Sequence, residues 1–344
     1  MKKNILFFSN DRLGDYLIRS NVIHKISKNY NNVEIVASNK NFKLIKSQKF
    51  FNKVYNFNLN KKIYEKFRFI VSFFFKKYDS AIVFDGKNIS NIVLLFIRAK
   101  FKFTFLYKKN SYINYLYLKI ISIFYKFLNI NYEYLLSRNL IEKDFDENYP
   151  VKYKVLKKYY GDIFSETYYI ENSNINEYNK IKNEYIIIHL DEKFIDIKGI
   201  DENFSNSLTK LKERIKKKIF LTSFKNNYNY YKSLTHKKLH FKNINLNILK
   251  ISDILIIEDM PLDYLQNLMQ NSLINISCHS GLFVHTSIAL KKTTIDIIHK
   301  SQKKWFNTWI DERNNYLQIY KSNESYTYDI DEILNLIYEK KKFI

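Results

Sequence analysis

Charged side chains cluster directly after the first apolar run of the chain. Ile5–Phe8 has the pattern of a buried strand, and Asp11-Arg12-Leu13-Gly14-Asp15 follows it before apolar residues recur at helical spacing. We expect a tight turn at Gly14 and a helix that starts at Asp15. Because open α/β sheets bind ligands at the carboxyl ends of their strands, the Asp15 carboxylate would lie at the lip of a cleft, where it could accept a proton. The alternative is that Asp15 only caps the helix, since aspartate is favoured at helix N-termini.

A second group of polar residues follows a predicted strand, Leu273–Ser277, late in the chain. Ser280 and Gly281 would open the next helix, and the free amides of a helix start bind phosphate, although the two residues could form an ordinary cap. His279 precedes them and has a pKa near working pH, so it could be neutral or a cation beside a phosphate group. His285 could face the same ligand or pack as a core histidine.

Cysteine and metal chemistry find no support in the sequence. Cys278 is the only cysteine, which excludes an internal disulfide and a zinc cluster built on cysteines. Cys278 and His279 are adjacent on a strand end and point to opposite faces, so they cannot form a catalytic dyad with each other. The seven histidines show no metal-ligand spacing on one helix face, and we expect no metal.

The elements that must position these residues alternate between strand and helix patterns. Repeated β-α units predict an α/β fold of two Rossmann-like domains, each with a doubly wound parallel sheet, facing each other across a cleft. The predicted strands of the first half are Asn4–Phe8, Val33–Ala37, Val54–Phe57, Ser80–Phe84 and Phe101–Leu106. Those of the second half are Tyr185–Leu190, Lys218–Thr222, Ile254–Ile257, Leu273–Ser277 and Thr293–Ile298. A long aromatic helix is predicted over Ser111–Leu128 and a last amphipathic helix over Asp329–Lys340.

The polar segment 142–183 is the predicted linker between the domains. We place an N-terminal Rossmann-like domain, which carries the loop with Asp15, at 1–165 and a C-terminal one at 180–325. Residues 326–344 would contain the last helix, which could pack back across the domain junction.

The charge balance predicts an anionic partner. The net charge is +23, from 57 Lys and Arg against 34 Asp and Glu, and such a surface attracts phosphorylated substrates, anionic lipid or nucleic acid. A composition typical of AT-rich genomes would explain part of this charge without any partner. The segment Arg98–Lys126 interleaves lysine with phenylalanine and tyrosine. It could bind a lipid surface, stack on single-stranded nucleic acid, or pack on its own sheet with its lysines solvated.

The N-terminal residues lack the features of a signal peptide. No apolar stretch reaches the ~18 uncharged residues that a membrane-spanning helix needs. We therefore expect a cytoplasmic protein that is soluble or peripheral on the inner face of the cytoplasmic membrane.

Four segments, in order, resemble the heptosyltransferase family of lipopolysaccharide synthesis, which is glycosyltransferase family nine and has the GT-B fold. The first is the loop Asp11–Asp15, and the second is Tyr78–Gly86, similar to the family's Tyr-Asp strand that ends in a polar residue and glycine. The third is Ile188-His189-Leu190 followed by Lys198–Phe204. The fourth is His279-Ser280-Gly281 with His285–Thr294. Four of the five glycines fall inside these segments.

On the acceptor side, the resemblance implies a role for the first loop. Asp15 matches the aspartate that the family uses as general base. Asp11, Arg12 and Gly14 would line the same loop, although Asp11 and Arg12 could equally form an exposed turn pair.

On the donor side, the resemblance implies binding of a nucleotide sugar by residues of the second domain. Lys198 matches a lysine that contacts donor phosphate, with an ordinary solvated lysine as the alternative. Ser280, Gly281 and His285 would contact the donor as well. The chain departs from the family here, because His279 stands where the family has aspartate and one extra residue separates Gly281 from His285.

The function that the resemblance implies is inverting, metal-independent transfer of a sugar, with no cofactor besides the nucleotide-sugar donor. The donor would be ADP-heptose and the acceptor a phosphorylated, lipid-linked glycan of the lipopolysaccharide core, with another nucleotide sugar left open by the change at His279. Asp144-Phe145-Asp146 and Asp329-Ile330-Asp331 resemble the metal–nucleotide motif of the other large glycosyltransferase fold, but neither follows a predicted strand. One alternative is a non-catalytic GT-B-like protein that binds glycans or a membrane surface. Another is a basic nucleic-acid-binding protein, for which no helix-turn-helix, zinc-finger or ribonucleoprotein motif is present, so we expect no nucleic-acid partner.

Overall fold

The chain divides into two compact units, one formed by Met1–Glu171 with Lys304–Trp309 and the other by Asn172–Lys303 with Ile310–Ile344. The computed structural model describes residues 3–57, 63–136, 153–161, 169–170, 180–190, 197–198, 204–223, 236–278, 281–299, 316–321, 328–329, 335 and 338–339. Most of the predicted linker, 142–183, lies outside the described residues.

The first unit contains a six-stranded parallel sheet. Its strands are β1 (Asn4–Ser9), β2 (Asn32–Ser38), β3 (Lys53–Phe57), β4 (Lys77–Val83), β5 (Arg98–Lys108) and β6 (Asn131–Leu136). Its helices are α1 (Leu13–Ser27), α2 (Phe42–Ser47), α3 (Ile63–Val71), α4 (Asn88–Phe96), α5 (Tyr112–Phe127) and α6 (Lys154–Tyr160). The strand order is β3-β2-β1-β4-β5-β6, so the order reverses between β1 and β4.

The apolar runs of the sequence explain this sheet. All but the first residue of β1 are buried, as expected for a central parallel strand covered on both faces. On one face, α3, α4 and α5 pack on the same core through side chains that include Phe69, Val93 and Leu118. This arrangement follows from right-handed crossovers, which place the helices of the connections from β3 to β6 on one side of the sheet.

The second unit contains a seven-stranded parallel sheet of order β10-β11-β9-β7-β12-β13-β14. Its strands are β7 (Tyr185–Leu190), β9 (Lys218–Ser223), β10 (Lys238–His240), β11 (Ile254–Glu258), β12 (Ile274–Ser277), β13 (Thr293–His299) and β14 (Tyr316–Lys321), and a separate pair is formed by β8 (Ile197–Lys198) and β15 (Tyr328–Asp329). Its helices are α7 (Phe204–Ile215), α8 (Leu246–Ile251), α9 (Leu262–Asn271) and α10 (Gly281–Ala289). The strand order reverses between β7 and β12, which lie side by side.

The predicted α/β class with two doubly wound parallel sheets is confirmed. Two local predictions are wrong. The first helix begins at Leu13 rather than at Asp15, because Arg12 has the extended backbone of an N-cap residue and Gly14 already lies in the helix. Asp329 belongs to a short strand paired with Lys198 rather than to the start of a helix.

Some described residues of the last segment pack on the second unit. Tyr338 contacts its core, and Arg214 donates a hydrogen bond of 2.6 Å to the side-chain oxygen of Asn335. The prediction that residues 326–344 pack across the domain junction stays a prediction.

No helix in the described part of the chain has both the length and the apolar composition needed to cross a membrane.

Candidate active site

The reversal of strand order in the first sheet creates a cavity at the carboxyl ends of β1 and β4. Ligands of open α/β sheets bind at such a point, because the connections diverge to opposite faces and leave a crevice between them. The cavity measures about 530 Å³, which is within the usual range of ligand pockets. It is lined by Asp11, Asp15, Arg19, Asp85, Gly86, Lys87, Asn88, Ile89, Asn91, Tyr107, Lys109, Asn114 and Tyr117.

Asp85 joins the ends of the two central strands. One carboxylate oxygen accepts hydrogen bonds from the backbone N–H of Asn10 (2.9 Å) and from the hydroxyl of Ser90 (2.8 Å). The other accepts from the backbone N–H of Lys87 at 2.9 Å. Asp85 is buried, and its bonds fix the loop after β1 relative to the start of α4.

Asp11 and Arg19 form a buried ion pair at the floor of the cavity. Arg19 Nη1 contacts Asp11 Oδ2, and Nη2 donates to the Tyr107 hydroxyl at 2.9 Å. Lys87 Nζ lies 3.8 Å from the other oxygen of Asp11. These contacts hold the loop after β1 against α1 and β5. Because the ion pair is buried, removal of either partner would leave the other charge without compensation.

The pKa values of this pair follow from burial and from neighbouring charges. Burial raises the pKa of Asp11 to about 7, against the opposing attraction of Arg19 and with a further increase from the Asp85 carboxylate. Burial alone lowers the pKa of Arg19, but Tyr107 and Asp11 raise it above its ordinary value. Burial also raises the pKa of the Tyr107 hydroxyl. The charge of the cavity floor therefore changes near neutral pH through Asp11.

Asp15 is exposed and lies at the mouth of the same cavity. It is the third residue of α1, and its Oδ2 accepts a hydrogen bond of 3.3 Å from the backbone N–H of Arg12. The side chain therefore caps the helix and also lines the cavity, so the two interpretations of the sequence are compatible. Its accessibility leaves the carboxylate open to a substrate hydroxyl, and its role as base stays a prediction.

The remaining residues of the first loop have different surroundings from those expected. The alternative that Asp11 and Arg12 form an exposed turn pair is wrong for Asp11, which is buried. Arg12 is exposed. Gly14 does not make the tight turn, since it is the second residue of α1. The glycine of this site that has a left-handed backbone is Gly86, whose φ is +59°. A Cβ there would come within 2.6 Å of the Tyr107 ring and 3.0 Å of the Phe105 carbonyl oxygen.

In the second unit, the equivalent edge lies at the carboxyl ends of β7 and β12. His189 is fully buried near the end of β7, with Nδ1 at hydrogen-bonding distance, 3.0 Å, from the Thr222 hydroxyl. Its ring stacks on Phe283 of α10, with centroids 4.7 Å apart and planes inclined by 5°. Burial lowers the pKa of His189 to about 3, so this histidine is neutral at working pH.

The predicted donor residues are only partly described. Gly281 is the first residue of α10, and the ring of His285 lies one turn further, about 4 Å from where a Cβ on Gly281 would be. His285 is buried. His279 and Ser280 lie outside the described residues, and so does the side chain of Lys198, whose backbone pairs with Asp329. The donor roles of these five residues stay predictions.

The charged and polar residues that join the floor of the cavity include three that were not singled out as site residues from the sequence: Arg19, Lys87 and Tyr107. Arg19 lies one helical turn after Asp15, and its sequence context alone does not distinguish it from the lysines and arginines of a surface helix. Asp85 and Gly86 did carry a signal, because they directly follow a predicted strand inside a recognised segment. Tyr107 comes from a distant strand and could be found only from the topology.

The described residues contain no group of three His, Cys, Asp or Glu side chains placed to hold a metal ion.

Comparisons with known proteins identify the fold. No family model matches the chain, and the search of curated proteins found no match. Among solved structures, the family 9 glycosyltransferase of Veillonella parvula is 12% identical, with 93% of this chain and 86% of that chain covered and a TM-score of 0.64. The E. coli heptosyltransferase WaaC with ADP is 12% identical, with 98% of both chains covered and a TM-score of 0.61. The E. coli ADP-heptose lipopolysaccharide heptosyltransferase II is 13% identical, with 99% of this chain and 100% of that chain covered and a TM-score of 0.59.

The chain thus has the GT-B fold. The resemblance to heptosyltransferases that the four segments indicated is confirmed at the level of the fold. An identity near 12% shows the fold alone, since one fold supports several reactions.

Proposed function

We propose that the protein is an inverting glycosyltransferase of the heptosyltransferase type. The observation that carries this proposal is the cavity of the first unit, where an exposed carboxylate, Asp15, lies beside buried charged residues at the switch point of a GT-B fold. The proposed acceptor is a phosphorylated, lipid-linked glycan, which the cavity would bind. The strongly positive net charge favours such an acceptor.

In the proposed reaction, Asp15 accepts the proton of an acceptor hydroxyl. The hydroxyl oxygen forms a bond to the anomeric carbon of the donor sugar, while the bond from that carbon to the diphosphate oxygen breaks. The electron pair of the broken bond leaves with the nucleoside diphosphate. A general base at the cavity mouth lowers the barrier because the hydroxyl becomes more nucleophilic as it loses the proton.

The proposed donor is a nucleotide sugar, with ADP-heptose as the first candidate. The solved neighbours include WaaC with ADP and WaaC with ADP-2-deoxy-2-fluoro heptose. The N-terminal amides of α10 at Gly281 would stabilise the leaving diphosphate without a metal, since free helix amides and the helix dipole favour negative charge. His279, Ser280, His285 and Lys198 are the proposed further contacts to the donor.

The decisive experiment combines donor binding and transfer. ADP-, GDP- and UDP-sugars are screened by thermal shift, since a ligand that binds the folded state raises Tm by an amount that grows with the logarithm of its concentration relative to its Kd. We expect selective stabilisation by ADP-heptose and release of ADP when a deacylated core glycolipid is added. Stabilisation by glycans alone, with no nucleotide effect and no transfer, would contradict the proposal and favour a glycan-binding protein.

A further inference from the structure

The outer face of α3, α4 and α5 is unusually apolar for an exposed surface. Of the seventeen large apolar side chains that are exposed in the described part of the chain, fourteen lie between Tyr64 and Leu128. We call these fourteen the apolar face: Tyr64, Phe67, Phe75, Ile92, Phe96, Tyr112, Ile113, Tyr115, Leu116, Ile120, Ile123, Phe124, Phe127 and Leu128. Contiguous exposed apolar surface of this kind marks an interaction site.

Helix α5 carries two apolar stripes on opposite sides. Leu118, Ile121 and Tyr125 point to the sheet and are buried. The outer stripe repeats at intervals of three and four residues through Ile113, Leu116, Ile120, Ile123 and Phe127. Ile113 and Phe127 are 80% and 84% exposed. The inner stripe is explained by the core, whereas nothing within the described first unit covers the outer one.

The three helices form one continuous surface. They pack on the same core cluster from the same side of the sheet. The turn after α3 also contacts α4, because the rings of Phe74 and Phe96 lie 5.3 Å apart. Helix α5 alone, with 16 residues, is ~24 Å long, so the apolar face extends well beyond a single ligand pocket.

The charges around the part of this face formed by α4 and α5 have one sign. Between Asp85 and Glu133 the sequence contains no acidic residue, while it contains eight Lys and Arg residues. Lys119 and Lys126 are exposed on α5 itself. Two copies of the chain docked through this face would bring cations against cations, which disfavours self-association. Exposed apolar and aromatic side chains with lysines between them match an anionic bilayer interface, where the rings enter the headgroup region and the lysines reach lipid phosphates.

The apolar face also continues into the candidate active site. Asn114 and Tyr117 of α5 line the cavity, whereas Ile113 and Leu116 beside them belong to the outer stripe. A surface that rests on a bilayer through α5 would therefore hold the cavity next to the lipid headgroups.

We propose that the apolar face docks the protein onto an anionic membrane surface. This inference extends the proposed function, because it assigns the surface through which a lipid-linked acceptor reaches the cavity. It concerns binding to lipid rather than the reaction, so the two can fail separately.

The test is flotation of the full-length protein with vesicles. The wild type should float with vesicles that contain phosphatidylglycerol, and less with vesicles of phosphatidylcholine alone. The double variant Ile123→Glu/Phe127→Glu should lose about tenfold or more in partitioning, because two apolar side chains no longer enter the interface. The control is Ile251→Glu, which introduces one carboxylate, against two in the double variant, at an isoleucine that is 77% exposed in the second unit, and it should bind like the wild type.

A second double variant isolates the electrostatic contribution to vesicle binding. Lys119→Gln/Lys126→Gln should weaken binding to phosphatidylglycerol vesicles and reduce its dependence on salt, with no change in helix content by circular dichroism.

Two results would overturn the inference. The first is equal flotation of the wild type and the Ile123→Glu/Phe127→Glu variant. The second is a wild-type dimer that ignores vesicles and becomes monomeric in that variant, which would make the face an interface between copies. Donor thermal shifts are measured in parallel without lipid. A retained donor shift with no vesicle binding rejects the docking surface alone, whereas vesicle binding with no donor shift supports the surface and rejects the proposed donor.

Discussion

The carboxyl edges of the two sheets differ in how they use charge. In the first unit the edge carries Asp11, Asp15, Arg19, Asp85 and Lys87 around one cavity. In the second unit the strand end at the reversal, that of β7, carries neutral groups: His189, held neutral by burial, and the Thr222 hydroxyl of β9 beside it. Both edges lie at a reversal of strand order, so topology alone does not cause the difference.

This difference matches two kinds of chemistry. Proton transfer needs a titratable side chain with a controlled environment, which the first edge supplies. Binding of a diphosphate needs aligned amides, which a helix start such as that of α10 supplies without a charged side chain. The proposed function accordingly puts the acceptor and base in the first unit and the donor in the second.

The outer surfaces of the units differ as well. Helices α3 to α5 of the first unit expose many large apolar side chains, whereas Ile251 is the only one exposed among the described residues of the second. A general excess of apolar residues in the composition would expose large apolar side chains in both units alike. The restriction to one face indicates a specific contact surface.

The largest expected effect comes from removing the exposed carboxylate of the first edge. Asp15→Asn should lower kcat by about 10²–10⁴, the usual contribution of a general base, while the thermal shift with ADP-heptose should be retained because the proposed donor site lies at the other edge. Initial rates and thermal shifts measure the two effects. The control Asp253→Asn makes the same chemical change in an exposed ion pair with Lys212 and should leave the rate unchanged. Turnover near the wild-type rate in Asp15→Asn would break the assignment of the base.

A second large effect is expected in stability. At about pH 8, where Asp11 is ionised in the wild type, Arg19→Met takes away its cation, and the free energy of unfolding should fall by about 3–5 kcal/mol. Urea denaturation measures this change. Lys100→Met, which removes the cation from the exposed pair with Asp79, is the matched control and should have little effect. Equal stability of the two variants would show that the charged floor of the cavity is not a buried ion pair in solution.

The pH dependence of stability should have opposite signs at the two edges. The folded-state pKa of Asp11 is raised from 3.8 to about 7, so its contribution is present below pH 3.8 and is lost as pH rises through about 7. The pKa of His189 is lowered from 6.5 to about 3, so its contribution is present above pH 6.5 and is lost as pH falls through about 3.

Urea midpoints measured from about pH 3 to about pH 8 test this contrast. In Asp11→Asn the loss of stability toward neutral pH should disappear, and in His189→Gln the loss toward acid should disappear. If both variants change the slope of stability against pH in the same direction, burial does not set the pKa values of Asp11 and His189 in opposite directions.

The smallest effect should come from substitution of Gly86. Gly86→Ala should cost about 1–2 kcal/mol for the left-handed backbone and about 1–3 kcal/mol for overpacking against Tyr107. Gly161→Ala, where φ is +73° and ψ is −152° and no atom lies within 4 Å of an added Cβ, should show a backbone cost without overpacking. Thermal denaturation measures both variants, and a loss in Gly86→Ala no larger than the backbone cost would mean that the Tyr107 ring moves aside.

The sequence predicted the fold well because its signals are local. Buried strands such as Tyr185–Leu190 are continuous apolar runs, and the polar residues that follow them locate the carboxyl edges. The position of Asp15 beside a ligand cavity could be anticipated in the same way. The start of α1 could not, because glycine is compatible with both a turn and a helix, and only the extended backbone of Arg12 decides between them.

The environment of charged residues was not predictable from local pattern. Asp11 and Arg19 each resemble solvent-exposed residues in sequence, yet they are buried against each other. Their burial depends on Tyr107, which is separated from Arg19 by 88 residues. Likewise, the segment Arg98–Lys126 was compatible with core packing and with lipid contact, and α5 does pack on the sheet through one stripe while it exposes the other.

The sequence by itself determined the alternation of strands and helices, the order of the recognised segments and the excess of positive charge. These features depend on residue type and on spacing within one element, which short-range sterics and apolar burial control. Only the tertiary structure decided that Asp11, Arg19, Asp85 and Tyr107 share a cavity and that the outer stripe of α5 stays exposed. Those outcomes depend on strand order, because parallel crossovers bring residues far apart in sequence to one edge of a sheet and assign each helix to one face.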